Sequence, residues 1–380
     1  MHRLALAVVL WATTAAAPPS PRPPWAEGVA GWGRLESTRV HSDLAQHQWS
    51  RAWLACATEK GRILALDTQK GTLLEFRADG ALRHQRVVRN WQPTETHPRW
   101  RGLACQGDGS RLAFWNGNDV VVLTPAQVES RFSLRAHGIT SVVWHKGDLV
   151  AAIIPLRFRT QGERRGLEVG DALLARVTLR GEERERWLAP EPAPDLSGVP
   201  AALSSAVLLA PHDENELWVV HQHTRQRLRL LRGREEVGSW EGQKTWAGHE
   251  GERGKEMPAE VKAQLTEEGQ KAFRALSVPT VVSDVSRTDQ GLVVLWGPQI
   301  FPEAGPLVEV YEGLAPSPPL LRLGLSVRQQ GVAFTRLVAA GEYLWLFPQT
   351  GQPEAFQLPG DVFEALHAAR SRPAAAEPRP

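Results

Sequence analysis

Apolar residues along this chain fall in short runs, each bounded by Gly, Asn, Asp or Ser, with polar residues alternating at the run ends. The stretch Gly61 to Val88, GRILALDTQKGTLLEFRADGALRHQRVV, reads as three strands joined by two turns. Its turn-plus-strand start returns as SRLAFWN from Ser110, GDLVAAIIP from Gly147, NELWVVHQ from Asn215, QGLVVLWG from Gln290 and GEYLWLFP from Gly341. Each copy follows another apolar strand: AWLACATEK, RGLACQGDG, ITSVVWHK, ALSSAVLLAP, PTVVSDVS and VAFTRLVAA. Most copies continue into a third strand, such as DVVVLTP or QRLRLLR, and then a fourth, such as ALRHQRVV or EVGSWEG. The copies start 37 to 75 residues apart. The shorter spacings fit a four-stranded unit of roughly 40 to 50 residues, and the longer ones hold loops or an insertion.

Short strands at this rhythm suit a sandwich, a barrel or a propeller. Six antiparallel units that cannot each bury both faces favour the propeller, in which neighbouring blades cover those faces. A run of unrelated meanders is the alternative. The last unit lacks a fourth strand, and GRLESTRV, Gly33 to Val40, is expected to supply it and close the ring. Met257 to Leu276 breaks the pattern: Pro258 opens it, and Val261, Leu265, Ala272 and Phe273 form a stripe near helical period. The expected fold class is therefore all-β: a six-bladed β-propeller over 32–370, with a helical insertion between blades 4 and 5 at about 254–276. A short C-terminal helix, DVFEALHAAR, follows the last unit.

The chain ends change the picture more than the bulk composition does. His2 and Arg3, the apolar run Leu4 to Trp11 and small residues through Ala17 follow the plan of a secretory signal peptide. Cleavage is expected after Ala16, giving a signal peptide at 1–16, a Pro-rich linker at 17–31 and a disordered tail at 371–380. The protein is thus expected to be exported, periplasmic or extracellular, with no membrane span in the mature chain. A formal charge of +2 from 44 basic and 42 acidic residues, well mixed, gives no reason to expect nucleic acid as partner. The 15 Trp are scattered and read as core and blade-packing residues.

The body from about Trp32 to Pro359 resembles six-bladed propellers of the TolB-like or NHL-like kind. The first unit, ALDTQKGTLLEF followed by RADG, is also similar to quinoprotein-type repeats, with Asp67 and Gly71 at the matching turn positions. Later units lack that pair, so no quinone and no other cofactor is expected. The resemblance implies a fold; members of these groups range from scaffolds to hydrolases and lyases.

Candidate chemistry is sparse. Cys56 and Cys105 fall at matching places, LAC in two successive inner strands. They either pair or remain buried thiols, depending on whether neighbouring inner strands come within disulfide reach. His221 and His223 share one strand face in VHQHT, a spacing that can hold zinc or copper, and His212, Asp213 and Glu214 form a polar turn. Solvent-facing histidines are the commoner outcome, and no metal is expected. Propeller lactonases hold calcium with oxygen ligands from inner strands. Asp284 and Glu59 are the best candidates for such a channel site here, and Asp284 reads better as a satisfied polar residue. No Gly-x-Ser-x-Gly elbow, phosphate loop or dinucleotide fingerprint occurs. The expected function is a binding or scaffold module for a protein or other envelope component. A propeller hydrolase or lyase with its site at the central channel is the alternative, and a ring that supports a separately encoded partner domain is a third.

Overall fold

The computed structural model describes residues 29, 31–38, 40, 42–46, 54–93, 101–161, 164–191, 205–222, 225–245, 263, 266, 267, 270, 282–288, 291–297, 305–312, 315–329, 332–348 and 351–358. β1 (Gly31–Glu36) and the short helix α1 (Ser42–Gln46) come first. Blade 1 is β2–β5 (Ala55–Ala57, Ile63–Asp67, Thr72–Phe76, Leu82–Val87), and blade 2 is β6–β9 (Arg101–Cys105, Leu112–Asn116, Asp119–Leu123, Val128–Ser133). In blade 3, β10 (Gly138–His145) and β11 (Asp148–Ile154) lead into a separate hairpin, β12–β13 (Leu156–Gln161, Arg164–Val169). The blade then resumes with β14 (Leu174–Val177) and β15 (Glu183–Trp187). Blade 4 is β16–β19 (Val207–Pro211, Glu216–His221, Arg225–Arg232, Glu235–Thr245). Blade 5 is β20–β23 (Val282–Arg287, Gly291–Trp296, Leu307–Glu312, Leu321–Ser326), and blade 6 is β24–β26 (Phe334–Ala340, Tyr343–Pro348, Glu354–Gln357).

What closes six small sheets into one body is burial between them. One apolar cluster lies at each of the six blade interfaces, including the one between blades 6 and 1. The two-residue period of a strand divides each blade between two of these clusters. Along β11, Leu149, Ala151 and Ile153 pack toward blade 2, whereas Val150 and Ala152 pack toward blade 4. With both faces buried, such a strand needs an unbroken apolar run, as GDLVAAIIP has. Each fully buried Leu or Val contributes about 1.5–3 kcal/mol.

The Asp67–Gly71 turn of blade 1 has a local structural cause. Asp67 Oδ1 accepts from the backbone N–H groups of Gln69 and Lys70 at 3.1 Å each. Gly71 sits at φ +63°, and a Cβ there would lie 2.4 Å from the Trp91 ring. Only glycine fits both demands.

Ring closure differs from the sequence expectation. β1 does not complete blade 6; it pairs in parallel with β23 as a fifth strand of blade 5, with Leu35 opposite Leu325. From that edge Leu35 fills the cluster between blades 5 and 6. The chain then runs past blade 6, where Thr38 N–H donates to Ala355 O at 2.8 Å, and reaches α1, whose Leu44 is buried between blades 6 and 1. The N-terminal segment is thus a strap along the outside of a three-stranded blade. The region expected as a helical insertion lies almost wholly outside the described residues. So do the C-terminal helix, the signal peptide, most of the linker and the tail. No helix among the described residues is long and apolar enough to cross a membrane.

Antiparallel alternation gives the ring two unlike faces. Connections from inner to second strands and from third to outer strands emerge on one face. Most are tight turns, such as Lys146–Gly147 between β10 and β11. The blade-3 hairpin leaves from the other face, on which β15 and β19 end and β16 and β20 begin.

Candidate functional site: the central channel

The inner strands β2, β6, β10, β16, β20 and β24 surround a cavity of about 840 Å³ on the ring axis. An inner strand has a hydrogen-bonded neighbour on one side only, so its other edge brings bare backbone groups to the channel wall. Side chains from adjacent blades satisfy several of them. Asp284 Oδ2 accepts from Leu337 N–H at 2.8 Å, and Ser286 Oγ accepts from Ala339 N–H at 2.9 Å, so blade 5 holds the edge of blade 6. Thr140 Oγ1 donates to Val207 O at 2.6 Å and Ser141 Oγ accepts from Leu209 N–H at 3.2 Å, so blade 3 holds blade 4. In the other direction, Trp144 Nε1 donates to Ala104 O of blade 2 at 3.2 Å.

At the mouth on the long-connection face, Arg336 of blade 6 donates to Arg101 O of blade 2, so its side chain reaches past the inner strand of blade 1. Its Nη1 lies 3.6 Å from Asp284 Oδ1. Burial pushes the Asp284 carboxyl above the usual carboxylate range, and Arg336 opposes that shift. Burial also lowers the affinity of the Arg101 guanidinium for its proton, with repulsion from Arg336 adding to it. Asp284 is thus a backbone acceptor beside a guanidinium.

The mouth on the short-turn face is lined by Glu59, Asp108, Asp213 and Glu214 together with Lys146 and Arg287. Two of these carboxylates cap their own turns. Asp108 Oδ1 accepts from Ser110 N–H at 2.8 Å, and Asp213 Oδ1 accepts from Asn215 and Glu216 N–H at 2.6 and 2.8 Å. These backbone donors hold both carboxyls below their ordinary values. Glu59 donates its N–H to Gly107 O at 2.8 Å, and its side chain covers Gly107 so closely that a Cβ there would lie 2.3 Å from Oε1. Among the described residues no hydrogen bond or ion pair joins Glu59 to Asp284. The two channel candidates do not form one site.

Of the histidines, His221 is buried at the end of β17, and His223 lies outside the described residues. In the polar turn the structure joins His212 and Asp213 to Glu216 rather than to Glu214. Cys56, in the middle of β2, and Cys105, the last residue of β6, have Cα atoms 5.8 Å apart and are joined by a disulfide. Neighbouring inner strands converge enough near the axis for the bridge to span two blades.

Arg336, Arg101, Glu216 and His145 were not among the sequence candidates. Arg336 and Arg101 meet across blades, His145 lies near Asp213 of the next blade, and Glu216 meets His212 only because the turn folds back, so none stands out in the sequence.

No model of a known protein family matches the chain, and no curated protein matches its sequence. Among solved structures it is similar to the WD40 repeats of RRP9, at 11% identity and a TM-score of 0.45, covering 85% of this chain and 98% of that one. It is also similar to Raptor of Chaetomium thermophilum, at 9% identity and a TM-score of 0.44, covering 86% of this chain and 29% of that one.

Proposed function

We propose that this protein is an exported six-bladed propeller that binds a protein or another envelope component through the face carrying its long connections. The observation that carries this reading is the engagement of the channel's polar side chains. Asp284, Ser286, Thr140, Ser141 and Arg336 each hold backbone of another blade. A hydrolytic centre instead needs carboxylates or donors converging on one point with lone pairs left for substrate. The carboxylates at the short-turn mouth are what a hydrolase or lyase would draw on, and two of them already cap turns. Long connections gathered on one face of a rigid scaffold suit recognition. Export is supported by the N-terminal apolar run and by the bridge between Cys56 and Cys105, which suits an oxidising compartment.

Photo-crosslinking from the β12–β13 hairpin in intact cells, followed by reconstitution with the purified crosslinked partner, tests the reading. It expects saturable binding that survives Asp284→Asn and is lost when a tight turn replaces residues 157–168. Binding abolished by Asp284→Asn but indifferent to the hairpin would overturn it.

A further inference from the structure

We propose that the β16–β17 turn of blade 4 binds a divalent transition-metal ion of the zinc class, through His212 Nδ1, Asp213 Oδ2 and Glu216 Oε2. The three donor atoms lie within 4.8 Å of one another. Nδ1 of His212 is 3.0 Å from Glu216 Oε2 and 3.8 Å from Asp213 Oδ2. Atoms sharing one zinc at about 2.1 Å stand roughly 3.0–3.5 Å apart, so small side-chain adjustments bring this set onto a common ion. One imidazole and two carboxylates supply nitrogen and oxygen donors of the kinds that zinc accepts. Imidazole nitrogen favours zinc over calcium or magnesium.

Each donor is held by its other end. Asp213 Oδ1 is engaged by the Asn215 and Glu216 N–H groups, which leaves Oδ2 directed at His212. Glu216 is buried, and Arg232 Nε donates to its Oε1 at 2.9 Å, which leaves Oε2 on the His212 side. The His212 ring meets the Trp218 ring nearly edge-on, with centroids 5.6 Å apart. Contacts of this kind outside the ligand shell orient metal ligands.

An independent feature lies beside the turn. His145, the last residue of β10 in the neighbouring blade, lines the same mouth as Asp213 and is 7% exposed, and its Nδ1 is buried without a hydrogen-bond partner. Burial lowers the pKa of this imidazole, the charges of Lys146 and Arg176 add to that shift, and nearby Asp213 opposes it. A second nitrogen donor left unpaired next to the cluster is what a cation at this mouth would explain. Because Asp213 faces the channel, the open coordination positions are reachable from it.

The competing account is an ordinary ion pair between His212 and Glu216, for which zinc has no affinity. Titrating zinc alone into the chelator-stripped, full-length protein by calorimetry separates the two. The proposal expects one saturable zinc per chain and a loss of affinity in His212→Ala at least as large as the roughly 10–100-fold that follows removal of an outer-shell partner. Asp213→Asn keeps an oxygen to cap the turn and removes only the charge, so it stays folded, and the same loss is expected. Calcium in equal concentration should not displace the zinc. The proposal is overturned if no saturable zinc binds, if both variants bind as the parent does, or if calcium competes equally.

Discussion

Replacing Arg322 by Met should strongly destabilise blade 5. Glu309 on β22 stands directly opposite Arg322 on β23, and both side chains are removed from water, at 0% and 4% exposed. Arg322 Nε donates to Glu309 Oε1 at 2.7 Å, its Nη2 donates to the same oxygen, and the Tyr311 hydroxyl donates to Oε2. Arg322→Met fills similar space yet leaves the Glu309 carboxylate buried without its guanidinium partner. Breaking one partner out of a buried pair costs about 3–5 kcal/mol, because the other charge stays desolvated. Replacing both, as Glu309→Leu with Arg322→Met, removes the charge and its desolvation together and should be neutral or stabilising by about 1–4 kcal/mol. Urea unfolding followed by Trp fluorescence reads the difference. With a slope near 3 kcal/mol/M, the single variant should lose roughly 1–1.7 M in midpoint at unchanged slope. A midpoint shift below about 0.3 M in the single variant, or a double variant worse than the single, would refute the reasoning.

Leu44→Ala empties a fully buried position between blades 6 and 1 and should cost about 2–5 kcal/mol, lowering the melting temperature by roughly 4–10 °C. If the N-terminal strap did not hold blade 6, scanning calorimetry would find no change. Cys56→Ser removes a bridge across a sequence separation of 49 residues and should cost about 2–4 kcal/mol. The parent should also gain free thiol only after denaturation with reductant, and thiol titratable in the native protein would contradict this. Asp284 is raised above its ordinary pKa by burial, so between that ordinary value and its raised one the folded state binds more protons than the unfolded state. Its contribution to stability therefore falls as pH rises through that window, and Asp284→Asn, measured by chemical unfolding at several pH values, should flatten the slope there. An unchanged slope would show that Asp284 does not titrate as described.

The blade pattern was legible because both faces of each middle strand are buried. GDLVAAIIP and QGLVVLWG carry unbroken apolar runs for the reason that β11 and β21 touch two neighbouring blades. The hairpin Leu156–Val169 is not legible in the sequence, since its strands carry four arginines among other polar residues and resemble a polar loop. Closure was misplaced for a different reason. The run at Gly31–Glu36 is compatible with the edge of either blade 5 or blade 6, and only tertiary packing of Leu35 selects the first. At the channel, Asp284 could be named from its place in PTVVSDVS, but its partners Leu337 and Arg336 lie on another blade. Glu216 looked like the first residue of a strand, and its convergence with His212 depends on how the turn folds back.

Hydrogen exchange at the Leu337 and Ala339 amides tests most directly whether the channel's polar groups brace the ring. Both N–H groups lie on a strand edge beside an open cavity, where unbonded amides would exchange rapidly. The account predicts slow exchange at both in the parent protein. Asp284→Ala should speed exchange at Leu337 by about tenfold or more, since a hydrogen bond to a charged group contributes roughly 1.5–3 kcal/mol. Asp284→Asn, which keeps the acceptor oxygen, should leave that amide protected. Rapid exchange of Leu337 in the parent, or full protection in Asp284→Ala, would contradict the claim.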